Sequence, residues 1–115
     1  MTVIYGIKNC DTVRKAIKWL NNQGIEYTFH DFRKDGIDEP TVHRWISAAG
    51  WETVLNKRGL SWRQLSDEDK KGIDDNKAMK LILENPTLVK RPVLVDQDEI
   101  HIGFNEDIYT KIFNR

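Results

Sequence analysis

Hydrophobic positions in this chain switch period along its length, from alternation by two to a spacing near 3.6 and back. Residues 2–5 hold Val3, Ile4 and Tyr5, a short strand candidate of β-branched and aromatic side chains. Gly6 then allows a tight turn. Val13, Ala16, Ile17 and Leu20 fall at i, i+3, i+4 and i+7, with Arg14, Lys15, Lys18 and Asn21 on other faces, which predicts a helix. Thr12 or Asp11 suits its N-cap and Gly24 its C-terminal stop. Ile25, Tyr27 and Phe29 alternate with Glu26, Thr28 and His30, a second strand. Strand, helix and strand make a βαβ unit, whose strands are expected parallel with a right-handed connection.

The centre of the chain is helical by pattern. Arg33-Lys34-Asp35-Gly36 reads as a polar connection, and Asp38 as the cap of a helix with Pro40 in its first turn, where a missing N–H costs nothing. Val42, Trp45, Ile46 and Ala49 form the buried stripe, ended by Gly50. Residues 51–74 carry short apolar pieces separated by charge and read as short helices and loops. A further helix over about 75–85 turns Ala78, Leu81 and Ile82 inward and stops at Asn85-Pro86.

The last third returns to strand. Pro92-Val93-Leu94-Val95 and Ile100-His101-Ile102 flank Asp96-Gln97-Asp98-Glu99, an antiparallel hairpin. Asn105 caps a final helix, with Ile108 and Ile112, together with Tyr109 and Phe113, packing it on the sheet. The order βαβ, helical block, ββα is the thioredoxin arrangement. The expectation is an α/β, thioredoxin-like domain over residues 1–115, with a four-stranded mixed sheet and a helical insertion at about 38–86.

Composition narrows the partners. Eighteen basic and eighteen acidic side chains cancel, so no global field draws nucleic acid or an anionic membrane. No apolar run approaches the roughly 18 residues of a membrane span, and no long apolar segment precedes Lys8, so neither a span nor a signal peptide is expected. A single cysteine allows no internal disulfide. The expected compartment is the reducing cytoplasm.

That cysteine, Cys10, stands where the first strand has turned and the first helix begins. Free backbone N–H groups and the positive end of the helix dipole there favour the thiolate, which is the nucleophile. A lone cysteine is more often an inert core hydrophobe, but Lys8, Asn9, Asp11 and Thr12 make this turn polar. The partner position of a C-x-x-C pair holds Val13, so an adduct on Cys10 needs an external thiol for release, and glutathione is the natural one. Pro92 opens the third strand, where a proline is tolerated because its missing N–H need not join the ladder. The thioredoxin arrangement places such a proline close to the reactive cysteine, so Arg91 before it would project near Cys10, where a guanidinium binds an oxyanion or carboxylate bidentately. Arg58, in an irregular segment of the insertion, is a second anion-binding candidate, with Lys57 and Lys8 competing for that role. His30, His43 and His101 lie far apart, so no metal site is expected.

Taken together, Tyr5-Gly6-Ile7-Lys8-Asn9-Cys10-Asp11-Thr12, Arg58, Arg91-Pro92-Val93-Leu94-Val95 and Gly103-Phe104-Asn105-Glu106 resemble the ArsC/Spx family of arsenate reductase-like proteins, within it the YffB-like subgroup. The resemblance implies a nucleophilic Cys10, anion binding by Arg91 and Arg58 with Lys8 and Asn9 beside the thiol, and Pro92 and Thr12 as supports of the site. It further implies a glutathione-dependent thiol-disulfide reductase acting on a small oxidised or anionic substrate, with glutathione as co-substrate rather than a bound cofactor and glutaredoxin as a further partner. Arsenate reductases of the family carry a third arginine where this chain has Phe104, which argues against arsenate itself. The alternative implied is an Spx-like redox-sensing regulator that binds RNA polymerase, although Val13 removes the C-x-x-C switch usual in Spx proteins.

Overall fold

Strand β1 (Thr2–Gly6) runs through the interior of a four-stranded sheet of order β2-β1-β3-β4, with β2 at Thr28–Asp31, β3 at Val93–Asp96 and β4 at Glu99–Ile102. The computed structural model describes residues 1–115. It comprises two units, residues 1–36 with 91–115, and residues 37–90.

In the first unit β1 pairs parallel with β2 and antiparallel with β3, and β3 pairs antiparallel with β4, so the sheet is mixed as expected. The βαβ prediction holds. The second strand is shorter and later than the alternation suggested, because only residues from Thr28 onward lie alongside β1. At the far end of β1 the Thr2 hydroxyl donates to Asp96 Oδ1 at 2.6 Å across the pair Thr2↔Asp96.

Helix α1 (Asp11–Asn22) buries Val13, Ala16, Trp19 and Leu20. Trp19 takes the place expected for Ile17, which is only partly buried, because the indole packs edge-on to Tyr109 at 5.6 Å and beside Phe113 at 6.0 Å. Ile4, Ala16, Trp19, Leu20, Leu94 and Tyr109 form the core cluster. Each large side chain removed from water there is worth about 1.5–3 kcal/mol.

The expected polar connection contains a short helix, α2 (Phe32–Asp35), and the Asp31 carboxylate accepts from Arg33 N–H at its start. The seven residues of the C-terminal helix (Glu106–Ile112) pack through the fully buried Tyr109, with Ile112 and Phe113 partly buried. Ile108 is exposed, against expectation. A seven-residue helix gives the 3.6-residue period too few repeats to choose between adjacent positions.

The second unit is helical. Helix α3 (Glu39–Ala49) opens on Asp38, whose carboxylate accepts from Thr41 N–H, and ends at Gly50, at φ +86°. Val42, Trp45 and Ile46 are buried as the stripe required. Three single-turn helices follow, α4 (Trp51–Val54), α5 (Leu60–Arg63) and α6 (Asp67–Lys70). Helix α7 (Asp75–Glu84) opens on Asp74, which accepts from Lys77 N–H, and buries Ala78, Leu81 and Ile82. A 3₁₀ turn at Pro86–Leu88 completes the unit. With the helix at Glu106–Ile112 labelled α8, no helix is long and apolar enough to cross a membrane.

Candidate functional site

Strand register gathers the site residues of the first unit. Gly6 at the carboxyl end of β1 pairs with Asp31 at the carboxyl end of β2. Tyr5 pairs with Val93, the first residue of β3, and Val93 pairs with Ile102 at the end of β4. The turn carrying Lys8, Asn9 and Cys10, the segment Arg33–Asp35, the pair Arg91–Pro92 and the residues Gly103–Phe104 therefore share one end of the sheet. Loops beyond the carboxyl ends of parallel strands are where open α/β sheets bind ligands.

Cys10 is the N-cap of α1, with φ −119° and ψ 123°, and its carbonyl accepts from Arg14 N–H at 3.0 Å. Neither Asp11 nor Thr12 is the cap, contrary to the expectation from residue type. Both are exposed within the first helical turn. The Cys10 thiol is free and half-buried, and no side chain caps the open amides of this helix. Asp11 pairs instead with Arg14, Oδ1 to Nη2 at 3.1 Å, on the solvent side.

Val13, where a C-x-x-C protein has its second thiol, is fully buried. A Cβ added to Gly6 would stand 2.8 Å from Val13 Cγ2. Gly6 thus lets the end of β1 approach the first turn of α1 closely, and that approach sets where the Cys10 turn lies. The position carries a core contact in place of a resolving thiol.

Pro92 is buried and its peptide bond with Arg91 is cis. Its carbonyl accepts from Gly103 N–H at 2.7 Å, joining the run into β3 to the exit of β4, where Gly103 has φ +89°. Arg91 is half-buried. Lys8 and Asn9 are exposed in the turn, and Asn9 Oδ1 lies 3.4 Å from Arg33 Nη1.

Sequence reasoning treated Arg33 only as part of a connection. The available signal was the parallel βαβ pairing itself, which brings the residue after β2 to the turn after β1. The segment around α2, which bears Arg33, is well braced: Asp31 N–H donates to Asp35 Oδ2 at 3.1 Å, and His30 Nε2 is 2.6 Å from the Gly36 carbonyl oxygen. His30 also packs on Tyr5, ring to ring at 4.8 Å, so it holds the segment. Phe104 meets Tyr109 edge-on at 4.8 Å and belongs with the core of this unit. Arg58 lies in the second unit, in the loop between α4 and α5, where its N–H donates to Asn56 Oδ1 at 3.2 Å. No group of histidine, cysteine and acidic side chains has the geometry to hold a metal ion.

A mixed four-stranded sheet with a helical insertion, one cysteine opening its first helix and a cis-proline immediately before its third strand define a single-cysteine protein of the thioredoxin-like class. The ArsC family profile matches residues 5–112, and the chain belongs to the ArsC family. It is similar to a solved structure of the YffB protein, at 41% identity and TM-score 0.95 over 96% of this chain and 97% of that one. A solved arsenate reductase-related protein from Brucella melitensis is 41% identical with TM-score 0.77, over 99% of this chain and 95% of its own. An uncharacterised protein of Haemophilus influenzae is 43% identical over 113 residues, 98% of this chain and 99% of that protein.

Proposed function

We propose that the protein is a thiol-disulfide reductase using Cys10 as its nucleophile and glutathione as its reductant. The observation that carries this reading is the half-buried free thiol at an uncapped helix start, with buried Val13 in place of a second cysteine. The Cys10 thiolate attacks one sulfur of a substrate disulfide, forming a mixed disulfide while the other sulfur leaves as a thiolate and takes up a proton. Glutathione thiolate then attacks that mixed disulfide, regenerating Cys10 and carrying the substrate fragment away as a glutathione disulfide. A second glutathione, directly or through glutaredoxin, reduces that product and leaves oxidised glutathione. Arg91 and Arg58 are the proposed anion-binding groups, since a planar guanidinium suits a carboxylate or oxyanion. Lys8 and Asn9 flank the thiol in its turn, and Pro92 and Thr12 support it.

The test is a glutathione assay coupled to glutathione reductase over a panel of low-molecular-weight disulfides and arsenate. Turnover of disulfides but not of arsenate is expected, and Cys10→Ser should reduce it to background. Silence across the panel, or activity surviving Cys10→Ser, overturns the reading. Silence accompanied by an RNA polymerase pull-down that survives Cys10→Ser identifies an Spx-like regulator instead.

A further inference from the structure

The second unit contains a basic hollow built on long-range pairing. Leu55 and Val89 form an antiparallel bridge. Lys90 N–H donates to the Val54 carbonyl at 2.8 Å, and Asn56 N–H donates to the Leu88 carbonyl at 2.8 Å. The loop beyond the bridge is stiffened by Asn56, whose side chain accepts from Arg58 N–H and whose carbonyl accepts from Gly59 N–H, both at 3.2 Å. Lys57 and Arg58 from one side and Lys90 from the other thereby border one hollow of about 490 Å³, with Glu52 in its lining. Two indole faces hold the Lys57 ammonium, 5.0 Å from the Trp51 ring and 5.8 Å from the Trp62 ring.

No carboxylate pairs with any of the three cations. Acidic and basic side chains balance over residues 37–90, so this grouping is not a consequence of bulk charge. Like charges held around one hollow repel one another, and an anion seated among them turns that repulsion into attraction. Glu52 limits which anion fits. A bare phosphate would leave that carboxylate facing another negative charge, whereas a ligand with an ammonium group beside its carboxylates would give it a partner.

We propose that this hollow binds glutathione, its two carboxylates among Lys57, Arg58 and Lys90 and its γ-glutamyl ammonium at Glu52. The choice of ligand rests on the glutathione-dependent reading above.

The experiment uses the full chain carrying Cys10→Ser, titrated with the unreactive probe S-methylglutathione and followed by amide NMR shifts. Saturable shifts centred on residues 52–58 and 90 are expected. Exposed ion pairs of this kind make the combined Lys57→Ala and Lys90→Ala change worth about tenfold in affinity. Glu52→Gln should weaken S-methylglutathione but strengthen inorganic phosphate. Shifts centred elsewhere, or phosphate binding the unaltered hollow as tightly as S-methylglutathione, overturn the site. In turnover by the chain with Cys10 intact, the double lysine change should raise KM for glutathione at constant kcat. Turnover whose KM ignores both lysines overturns the site and leaves the reductase reading standing. Absent turnover, with S-methylglutathione still held in the hollow, overturns the reductase reading and leaves the site standing.

Discussion

The two units open their long helices in opposite ways. In the second, α3 and α7 start on Asp38 and Asp74, each lending a carboxylate oxygen to a free amide of the first turn. In the first, α1 starts on Cys10, which lends nothing. An N-cap of the Asp kind is worth about 0.5–2 kcal/mol. The longest helix of the protein forgoes that stabilisation at the residue its chemistry is proposed to need. A cap that accepted the first-turn amides would use up the donors that face an anionic group at the thiol. The second unit illustrates helix starts chosen for stability, and the first a helix start left open.

The contrast is sharpest at Gly6, where the largest stability effect is expected. Gly6→Ala drives a methyl against Val13 in the core and should destabilise by about 1–3 kcal/mol, read from urea denaturation. The cap comparison itself can be inverted. Asp74→Ala should cost about 1 kcal/mol, while Cys10→Ser should leave stability unchanged or raise it by up to about 1 kcal/mol as turnover disappears. A Cys10→Ser protein that melts earlier than the parent would show that the thiol contributes packing that a hydroxyl cannot replace.

Tyr109 tests the other end of the same unit. Its hydroxyl is buried without a hydrogen-bond partner. Tyr109→Phe removes that polar group and should stabilise by about 1 kcal/mol at neutral pH. Burial also pushes the phenol well above its ordinary pKa of 10.0. Below pH 10 both folded and unfolded states keep this proton. Above it the unfolded chain releases the proton first, so the Tyr109 contribution to stability falls by up to about 1.4 kcal/mol per pH unit. The difference between parent and Tyr109→Phe in chemical denaturation should therefore widen from pH 10 upward, and a constant difference would contradict it.

The smallest stability effect belongs to Arg33. It is exposed, so Arg33→Ala should change stability by less than about 0.5 kcal/mol. Its guanidinium lies beside the Cys10 turn through Asn9, so the same change should slow alkylation of Cys10 by an anionic reagent more than by a neutral one.

Much of the fold was legible along the chain because it is written in local chemistry. Asp38 and Asn105 name their own helix starts, Gly50 and Asn85-Pro86 name two stops, and the stripe Val42, Trp45, Ile46 names a buried face. Position also singled out Cys10, since a polar strand-to-helix turn with one thiol is visible without coordinates. The cap of α1 was misread because residue type favours Asp or Thr there, and the close approach of Gly6 to Val13 is a tertiary contact. Likewise, Tyr109 in place of Ile108 as the anchor of the last helix depends on Trp19, which lies far away in sequence, as well as on the nearby Phe104.

Local sequence accounts for the order of the main strands and helices, the caps at Asp38 and Asn105, the single cysteine and the lack of an internal resolving thiol. These follow from propensity, period and count, which act over a few residues at a time. Which residues share an end of the sheet follows instead from strand pairing. A one-residue slip in strand register would turn every side chain to the other face, and register is set by pairing between segments tens of residues apart. Through it Arg33, Arg91–Pro92 and Phe104 share the end of the sheet from which the Cys10 turn departs. The bridge between Leu55 and Val89 likewise brought Lys90 to the hollow of Lys57 and Arg58.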